Sequence, residues 1–444
     1  MFSKILIANR GEVAVRIIRA CKEMGIETVA VYSEADQNSL PVALADERIC
    51  IGSNAAADSY LNQKNIISAA LASNAEAIHP GYGFLSENPE FAALCEEKGI
   101  IFIGPDSNVL RTMGDKDNSR QLMKEIGVPV VPGTEILHDP AEAKRLAAEI
   151  GYPILVKATA GGGGKGIRVV EREEDLEHAF LAASEEAKSA FGNGDVFLEK
   201  YLTSVRHVEM QVLADAFGNI VCLGERDCSL QLNKQKVLEE TPCPVMTEDI
   251  RKRMMDAAVK AAKAANYVNA GTVEFLLAPD ENFYFIEMNT RLQVEHPITE
   301  EISDVDIVKW QIRIACQIPL DFTQEDIHLH GHSMECRINA RSTGQVDFLH
   351  IPGGSRVHFD TALVQDCLIV PFYDSMIGKL IVYAKTREDA IRKMEAALCE
   401  MVIHGIHTNI EDQLRLVRNP RFQKGDYDTL ILPELLAEGG TELE

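Results

Sequence analysis

Between Glu287 and Glu295 the side chains with chemistry fall on alternate positions: Glu287, Asn289, Arg291, Gln293 and Glu295, with Met288, Thr290, Leu292 and Val294 between them. On an extended backbone successive side chains point to opposite faces, so this spacing gathers the polar groups on one face. Their order is chemically meaningful. Two oxygen ligands come first, then a guanidinium whose planar fork matches an oxyanion, then an amide donor, then a carboxylate able to accept a proton. Upstream, the strand-like runs 272–277 and 282–288 flank Ala278-Pro279-Asp280-Glu281, a hairpin signal that sets Glu274 opposite Glu287 to within about one residue of register. Adjacent like charges on paired strands are unfavourable unless a cation sits between them. With Asn289, the two carboxylates make a hard-oxygen set suited to Mg²⁺. A solvated strand face is the plainer explanation, but it does not account for the order of metal ligands, anion clamp and base.

Further cations are available to such a site: Lys116 in M-G-D-K, Lys157 at the end of an apolar run, and Lys234 and Lys236 in the polar stretch Q-L-N-K-Q-K-V. After Lys157 comes a run of glycines, Gly161-Gly162-Gly163-Gly164-Lys165-Gly166, between two short strand-like segments. Its neighbours carry no Ser/Pro extension, which favours a mobile flap over phosphates and not a linker. It is not a Walker A loop, because Gly166 and not Ser or Thr follows Lys165, and a strand and not a helix comes next.

The elements that must carry these groups fall into three regions. Residues 4–8, a turn at Asn9-Arg10-Gly11, a helical pattern over 12–24 closed by Gly25, and a strand over 28–32 form a strand–turn–helix–strand sequence. That order predicts a parallel, doubly wound unit, continued by strands at 78 and 100–103. Gly81-Tyr82-Gly83 follows one of these strands, where open α/β sheets place ligands. A lone Gly11 does not make a dinucleotide fingerprint. Helices are predicted over 117–126, 140–150 and 173–191, and strands over 152–156 and 167–170. A third region begins near Gly331 with strands over 333–338, 357–360 and 379–384 and a helix over 387–401. The domains so delimited are 1–112, 113–330 (with a lid subdomain over about 130–203) and 331–444, as expected of a chain too long for one core.

The formal net charge is −24, which opposes attachment to nucleic acid or to anionic membranes. The ten cysteines include no C-x-x-C pair and match no zinc template. They read as reduced core residues of a cytoplasmic protein. No signal-peptide pattern and no membrane-length apolar run is present.

Taken together, several stretches resemble the biotin carboxylases of the ATP-grasp superfamily: I-A-N-R-G-E at 7–12, H-P-G-Y-G-F-L-S-E-N at 79–88, M-G-D-K at 113–116, G-G-G-G-K-G at 161–166, E-K-Y-L at 199–202, R-H-V-E at 206–209, E-R-D-C-S at 225–229, F-I-E-M-N-T-R-L-Q-V-E-H-P at 285–297, E-C-R-I-N-A at 335–340 and Y-D-S-M-I-G-K-L at 373–380. They occur in order over nearly the whole chain. The resemblance implies an ATP-grasp fold with a doubly wound N-terminal α/β domain, a glycine-flap lid and a C-terminal α+β domain. It also implies ATP-dependent carboxylation of biotin by bicarbonate. On that pattern Lys116, Lys157, Gly161, Gly162, Gly163, Gly164, Gly166, Glu199, Lys200, Leu202, His207, Gln231 and Lys234 serve the nucleotide, and Glu274, Glu287 and Asn289 bind Mg²⁺ or Mn²⁺. Lys236, Arg291, Gln293 and the backbone of Val294 clamp bicarbonate. Glu295 is its base, Arg337 stabilises the biotin enolate, and Tyr82 lies near the biotin.

An A-M-K-M-type biotin acceptor does not occur in the sequence, so biotin is expected on a separate carrier protein, with carboxyltransferase subunits completing an acyl-CoA carboxylase, acetyl-CoA carboxylase foremost. Other acceptors, another ATP-grasp ligase and a degenerate nucleotide-binding scaffold are the alternatives. The chain departs from the family pattern at Leu232-Asn233-Lys234, at 341–345, and at Ser355 and His358, where the family's homodimer contact is expected.

Overall fold

Residues 1–158, 167–191, 194–432 and 434 are described by the computed structural model, and the glycine run at 161–166 therefore lies outside the described residues. By compactness the chain divides into one unit of Met1–Val128, Arg206–Phe275 and Glu287–Glu444, and a second of Pro129–Val205 and Leu276–Ile286.

The first unit begins with a parallel sheet. Its strands are β1 (Lys4–Ile7), β2 (Glu27–Ser33), β3 (Glu47–Gly52), β4 (Ala77–His79) and β5 (Ile101–Phe102), in the order β3-β2-β1-β4-β5. Ile5 and Ile7 join one buried cluster and Leu6 another, so β1 is covered on both faces, which is why it reads as an unbroken apolar run. The helix Gly11–Glu23 and its Gly25 end, at φ +71°, follow the predicted pattern. Strand β3 has no counterpart among the predicted elements. Its burial is patchy, and it carries Glu47 and Arg48 exposed.

In the second unit, β6 (Ile154–Ala158), β7 (Ile167–Val170) and β8 (Val196–Lys200) form an antiparallel sheet in the order β7-β6-β8. The helices Pro140–Ile150 and Glu173–Phe191 match the predicted spans. Its own core gathers Leu137, Ala143, Ala147, Ile154, Val156, Leu176 and Leu198.

The strands β9 (Arg206–Ala214), β10 (Ile220–Leu232), β11 (Gln235–Thr241), β12 (Asn269–Leu277), β13 (Phe283–Asn289) and β14 (His332–Asn339) belong to an eight-stranded sheet. Its order is β13-β12-β9-β10-β11-β14, then Met376–Ala384, then Val357–Thr361. The polar stretch at 231–236 is the tip of the β10–β11 hairpin. Asn233 and Lys234 stand at φ +50° and +65°, the left-handed pair of a tight two-residue turn. Among the described residues, no helix is long and apolar enough to cross a membrane.

One prediction is corrected here. The alternating strip is a strand only as far as Asn289; the chain then bends without regular structure until the helix His296–Ser303 begins. Arg291, Gln293 and Glu295 are therefore not placed by strand alternation. They are placed by the bend, whose Leu292 is fully buried as an anchor.

Candidate active site

Antiparallel strands point alternate residues to one face, and β9 to β12 use this to aim charge inward. His207, Glu209 and Gln211 alternate on β9, Arg226 and Cys228 on β10, and Thr272 and Glu274 on β12. Lys236 enters from the foot of β11. Its ammonium donates to Glu209 at 2.7 Å, Glu274 at 3.1 Å and Glu295 at 2.6 Å. One buried cation thus gathers three carboxylates, and Glu209 and Glu295 are fully inaccessible to solvent.

Burial alone would raise every one of these carboxyls, and the outcome depends on what faces each. For Glu295, Lys236, Arg337 and Arg226 outweigh burial and hold the carboxyl well below the usual range. For Glu274, Lys236 and His207 do the same. Glu209 moves the other way: burial dominates, opposed by Arg226 and Lys236 but reinforced by Glu295 and Glu274. His207 is raised, because Glu274 at 2.9 Å overcomes burial.

The bend completes the constellation. Asn289 Nδ2 donates to Glu274 at 2.8 Å, and Gln293 Nε2 donates to the same oxygen at 3.2 Å. Arg291 donates to Glu87 at 2.8 Å, to Asn289 Oδ1 at 3.0 Å and to the Leu292 carbonyl at 3.1 Å. Arg337 on β14 donates to Glu239 at 2.6 Å and to Glu295 at 3.0 Å. Glu295 therefore stands between two cations, one on each oxygen. The Val294 carbonyl accepts from Lys379, and Tyr82 donates to Glu12.

Tyr82 is presented by a turn that the sequence signals through N-R-G-E and G-Y-G. Asn9 Nδ2 donates to the carbonyls of Pro80 and Tyr82, each at 2.7 Å. Gly81 sits at φ +63°, and a Cβ there would fall 2.9 Å from that amide, so the close approach requires glycine.

Glu274 and Glu287 are each met by side chains. Lys236 and His207 face Glu274, and the exposed Lys116 lies 3.1 Å from Glu287. Gln231 bonds the His207 ring at 2.7 Å, and Lys234 is exposed at the hairpin tip. In the second unit Lys157 pairs with Glu199, Lys200 donates to the carbonyls of Gly151 and Tyr152 at 2.9 and 3.0 Å, and Leu202 is half-buried. The flap residues Gly161, Gly162, Gly163, Gly164 and Gly166 lie outside the described residues.

Sequence reasoning gave no role to Glu209, Arg226, Glu239, Glu12 or Lys379, all buried here. The signal was present: polar residues at every second position within otherwise apolar runs, as in R-H-V-E-M-Q-V.

A parallel α/β sheet beside a second sheet whose face carries carboxylates gathered by a lysine is the architecture of an ATP-grasp ligase. The "Carbamoyl-phosphate synthase L chain, ATP binding domain" family matches residues 115–323. "Biotin carboxylase, N-terminal domain" matches 1–110 and "Biotin carboxylase C-terminal domain" matches 335–434. The chain is 52% identical over 442 residues to biotin carboxylase 1 of Bacillus subtilis, covering 97% of this chain and 98% of that protein. It is 51% identical to a pyruvate carboxylase subunit of Methanothermobacter thermautotrophicus, covering 98% and 90%. The crystal structure of the biotin carboxylase domain dimer of Hydrogenobacter thermophilus 2-oxoglutarate carboxylase, in complex with MgADP, ADP and bicarbonate, superposes with a TM-score of 0.91 at 48% identity, covering 100% of both chains. The chain belongs to the biotin carboxylase family. It is an enzyme, an ATP-dependent ligase that carboxylates biotin.

Proposed function

We propose that Glu295 is the base that deprotonates bicarbonate, and that Lys236, Arg291, Gln293 and the Val294 backbone hold that anion. The observation carrying this is the seat of Glu295: fully buried, with Lys236 on one oxygen at 2.6 Å and Arg337 on the other at 3.0 Å. A carboxylate held so low is a weak base for an unassisted bicarbonate. The same cations also favour the doubly charged carbonate, so they assist the bicarbonate in losing its proton.

The proton passes from the bicarbonate O–H to Glu295, and the freed oxygen attacks the γ-phosphorus of ATP. The bond from the γ-phosphorus to its bridging oxygen breaks, and ADP departs with the electron pair. Carboxyphosphate then separates into CO₂ and phosphate, the phosphate takes the ureido proton of biotin, and the biotin nitrogen attacks CO₂. Arg337 stabilises the negative charge on the ureido oxygen, with Tyr82 close by. Positioning and charge neutralisation do most of this work.

The donor chemistry of Glu274, Glu287 and Asn289 fits Mg²⁺ or Mn²⁺, since all three offer hard oxygens. When bound, the metal neutralises phosphate charge. Lys116, Lys157, His207, Gln231, Lys234, Glu199, Lys200, Leu202 and the glycines at 161–166 are the nucleotide-binding set of this proposal. The proposed domains are 1–112, 113–330 with its lid, and 331–444.

The biotin arrives on a carrier protein, and carboxyltransferase subunits take the carboxyl group onward. Acetyl-CoA carboxylase is the proposed assembly. Relatives of similar identity named for pyruvate and for 2-oxoglutarate keep a keto-acid acceptor as the second reading. A homodimer using the region of Ser355 and His358 is proposed as well.

The test is ADP production against bicarbonate and free biotin. Glu295→Ala is expected to abolish bicarbonate-dependent turnover, by about 10²-fold or more, while MgATP still binds. Equal loss of nucleotide binding, or surviving bicarbonate dependence, would refute the assigned role.

A further inference from the structure

Lys379 is fully buried on the strand Met376–Ala384, opposite Arg337 on one side and Asp360 on the other. A buried ammonium is costly unless its protons are taken up. Its hydrogen-bond acceptor is the carbonyl of Val294, and Glu12 Oε1 lies 3.7 Å away. Val294 belongs to the bend between Asn289 and His296, where no strand or helix ladder is available to fix the backbone. The pinned carbonyl falls between Gln293 and Glu295. Beyond Lys379, Glu12 accepts from the half-buried Tyr82, so contacts run from the 81–83 turn through Glu12 and its ion pair with Lys379 to the bend.

We propose that Lys379 is a positioning residue for the anion-activating end of the site: it fixes the Val294 carbonyl so that Gln293 and Glu295 keep their places, and Glu12 orients it and links it to Tyr82. This rests on the assignment of Gln293 and Glu295 to bicarbonate. An apolar residue would fill the same space but leave the bend free to shift, and small displacements of reacting groups carry large penalties.

The experiment is steady-state ADP production by Lys379→Met, Lys379→Arg, Glu12→Gln and the Lys379→Met/Glu12→Gln double variant, with bicarbonate and MgATP varied separately and thermal unfolding followed for each. Lys379→Met is expected to raise the KM for bicarbonate about tenfold or more and to lower kcat, with the KM for MgATP within about twofold. Lys379→Arg should recover part of the loss. Glu12→Gln should shift bicarbonate KM in the same direction by less, and the double variant should be no worse than Lys379→Met, as for groups acting in one chain. If Lys379→Met does not fold, the Lys379→Arg and Glu12→Gln pair carries the same KM comparison. An unchanged bicarbonate KM, a parallel rise in both KM values, or additive losses in the double variant would overturn the proposal. Glu295→Ala separates the two levels: if it retains bicarbonate-dependent turnover, the underlying assignment fails whatever Lys379 does. If it is inactive while Lys379→Met behaves as wild type, only the role of Lys379 fails.

Discussion

Glu12, Glu239, Glu295 and Glu335 are four buried carboxyls around Arg337 and Lys379, and their surroundings do not shift them alike. Glu295 is held low by Lys236, Arg337 and Arg226 against burial. Among the described residues Glu335 has no hydrogen-bond partner on either oxygen; it lies opposite Glu239 on the neighbouring strand, and burial raises it well above the usual range. Glu12 and Glu239 are each pushed up to about 7, by burial before any other cause. For Glu12 the sign is definite. A carboxyl whose folded value lies above its ordinary value of 4.5 binds its proton more tightly in the folded state. Its contribution to stability is therefore complete at low pH and lost as pH rises towards 7. Glu12→Gln keeps the shape without the titration. Its melting temperature should gain on that of the wild type between pH 5 and pH 8, by an amount corresponding to at most about 3 kcal/mol. A difference that stays flat across this range would show that Glu12 does not titrate there.

At the scale of elements, the sequence resolved what periodicity encodes and missed what burial of charge hides. The helices 140–150 and 173–191 and the strand 167–170 are found at their predicted bounds, because apolar spacing and flanking turns speak for them. Strands β9, β10 and β11 went unassigned because their inward faces are polar: His207, Glu209 and Arg226 interrupt the apolar pattern that marks a strand. The site suffered the reverse error. Alternation singled out Arg291, Gln293 and Glu295, but the backbone that carries them is a bend whose Val294 carbonyl accepts from Lys379, 85 residues away in sequence. One element-level node is testable. Glu240 on β11 accepts from His332 at 2.7 Å, from Arg387 at 2.7 and 2.9 Å and from Tyr427 at 2.5 Å, joining β14, the helix Arg387–Glu400 and the C-terminal segment. Burial raises this carboxyl, but His332 and Arg387 outweigh it and lower it to about 2. Its stabilisation is present above the ordinary value of 4.5 and is lost as pH falls towards 2. Glu240→Leu, which removes the carboxylate facing Arg387 and His332 and leaves Arg387 only the carbonyls of Phe422 and Gln423, should destabilise by about 3–5 kcal/mol at pH 7, with a smaller deficit near pH 3. Denaturant unfolding at the two pH values measures it, and an equal deficit at both would remove the ion pairs as the cause.

At the scale of the whole molecule, the residues proposed for the nucleotide and its metal fall in two compact units with separate cores. Lys157, Glu199 and Leu202 belong to the second; Lys116, His207, Glu274 and Glu287 belong to the first, together with every residue proposed for bicarbonate. If the proposed assignments hold, MgADP must order groups in both units, whereas bicarbonate engages only the first. Hydrogen exchange distinguishes the two, since amides slow where binding suppresses local opening. The expected pattern for MgADP is simultaneous protection of β6 and β8 in the second unit and of the His207–Val208 and Lys236–Val237 amides in the first. Bicarbonate without nucleotide should protect the 290–295 bend and leave β6 and β8 unchanged. The single tryptophan, Trp310, is buried in the first unit against Phe322, so its fluorescence follows that unit's unfolding in parallel. MgADP should raise the midpoint of that transition even though Lys157 and Glu199 lie elsewhere, by the ordinary linkage of binding to folding. Protection confined to β6 and β8, with no shift in the Trp310 transition, would mean that Lys116, His207, Glu274 and Glu287 do not bind the nucleotide.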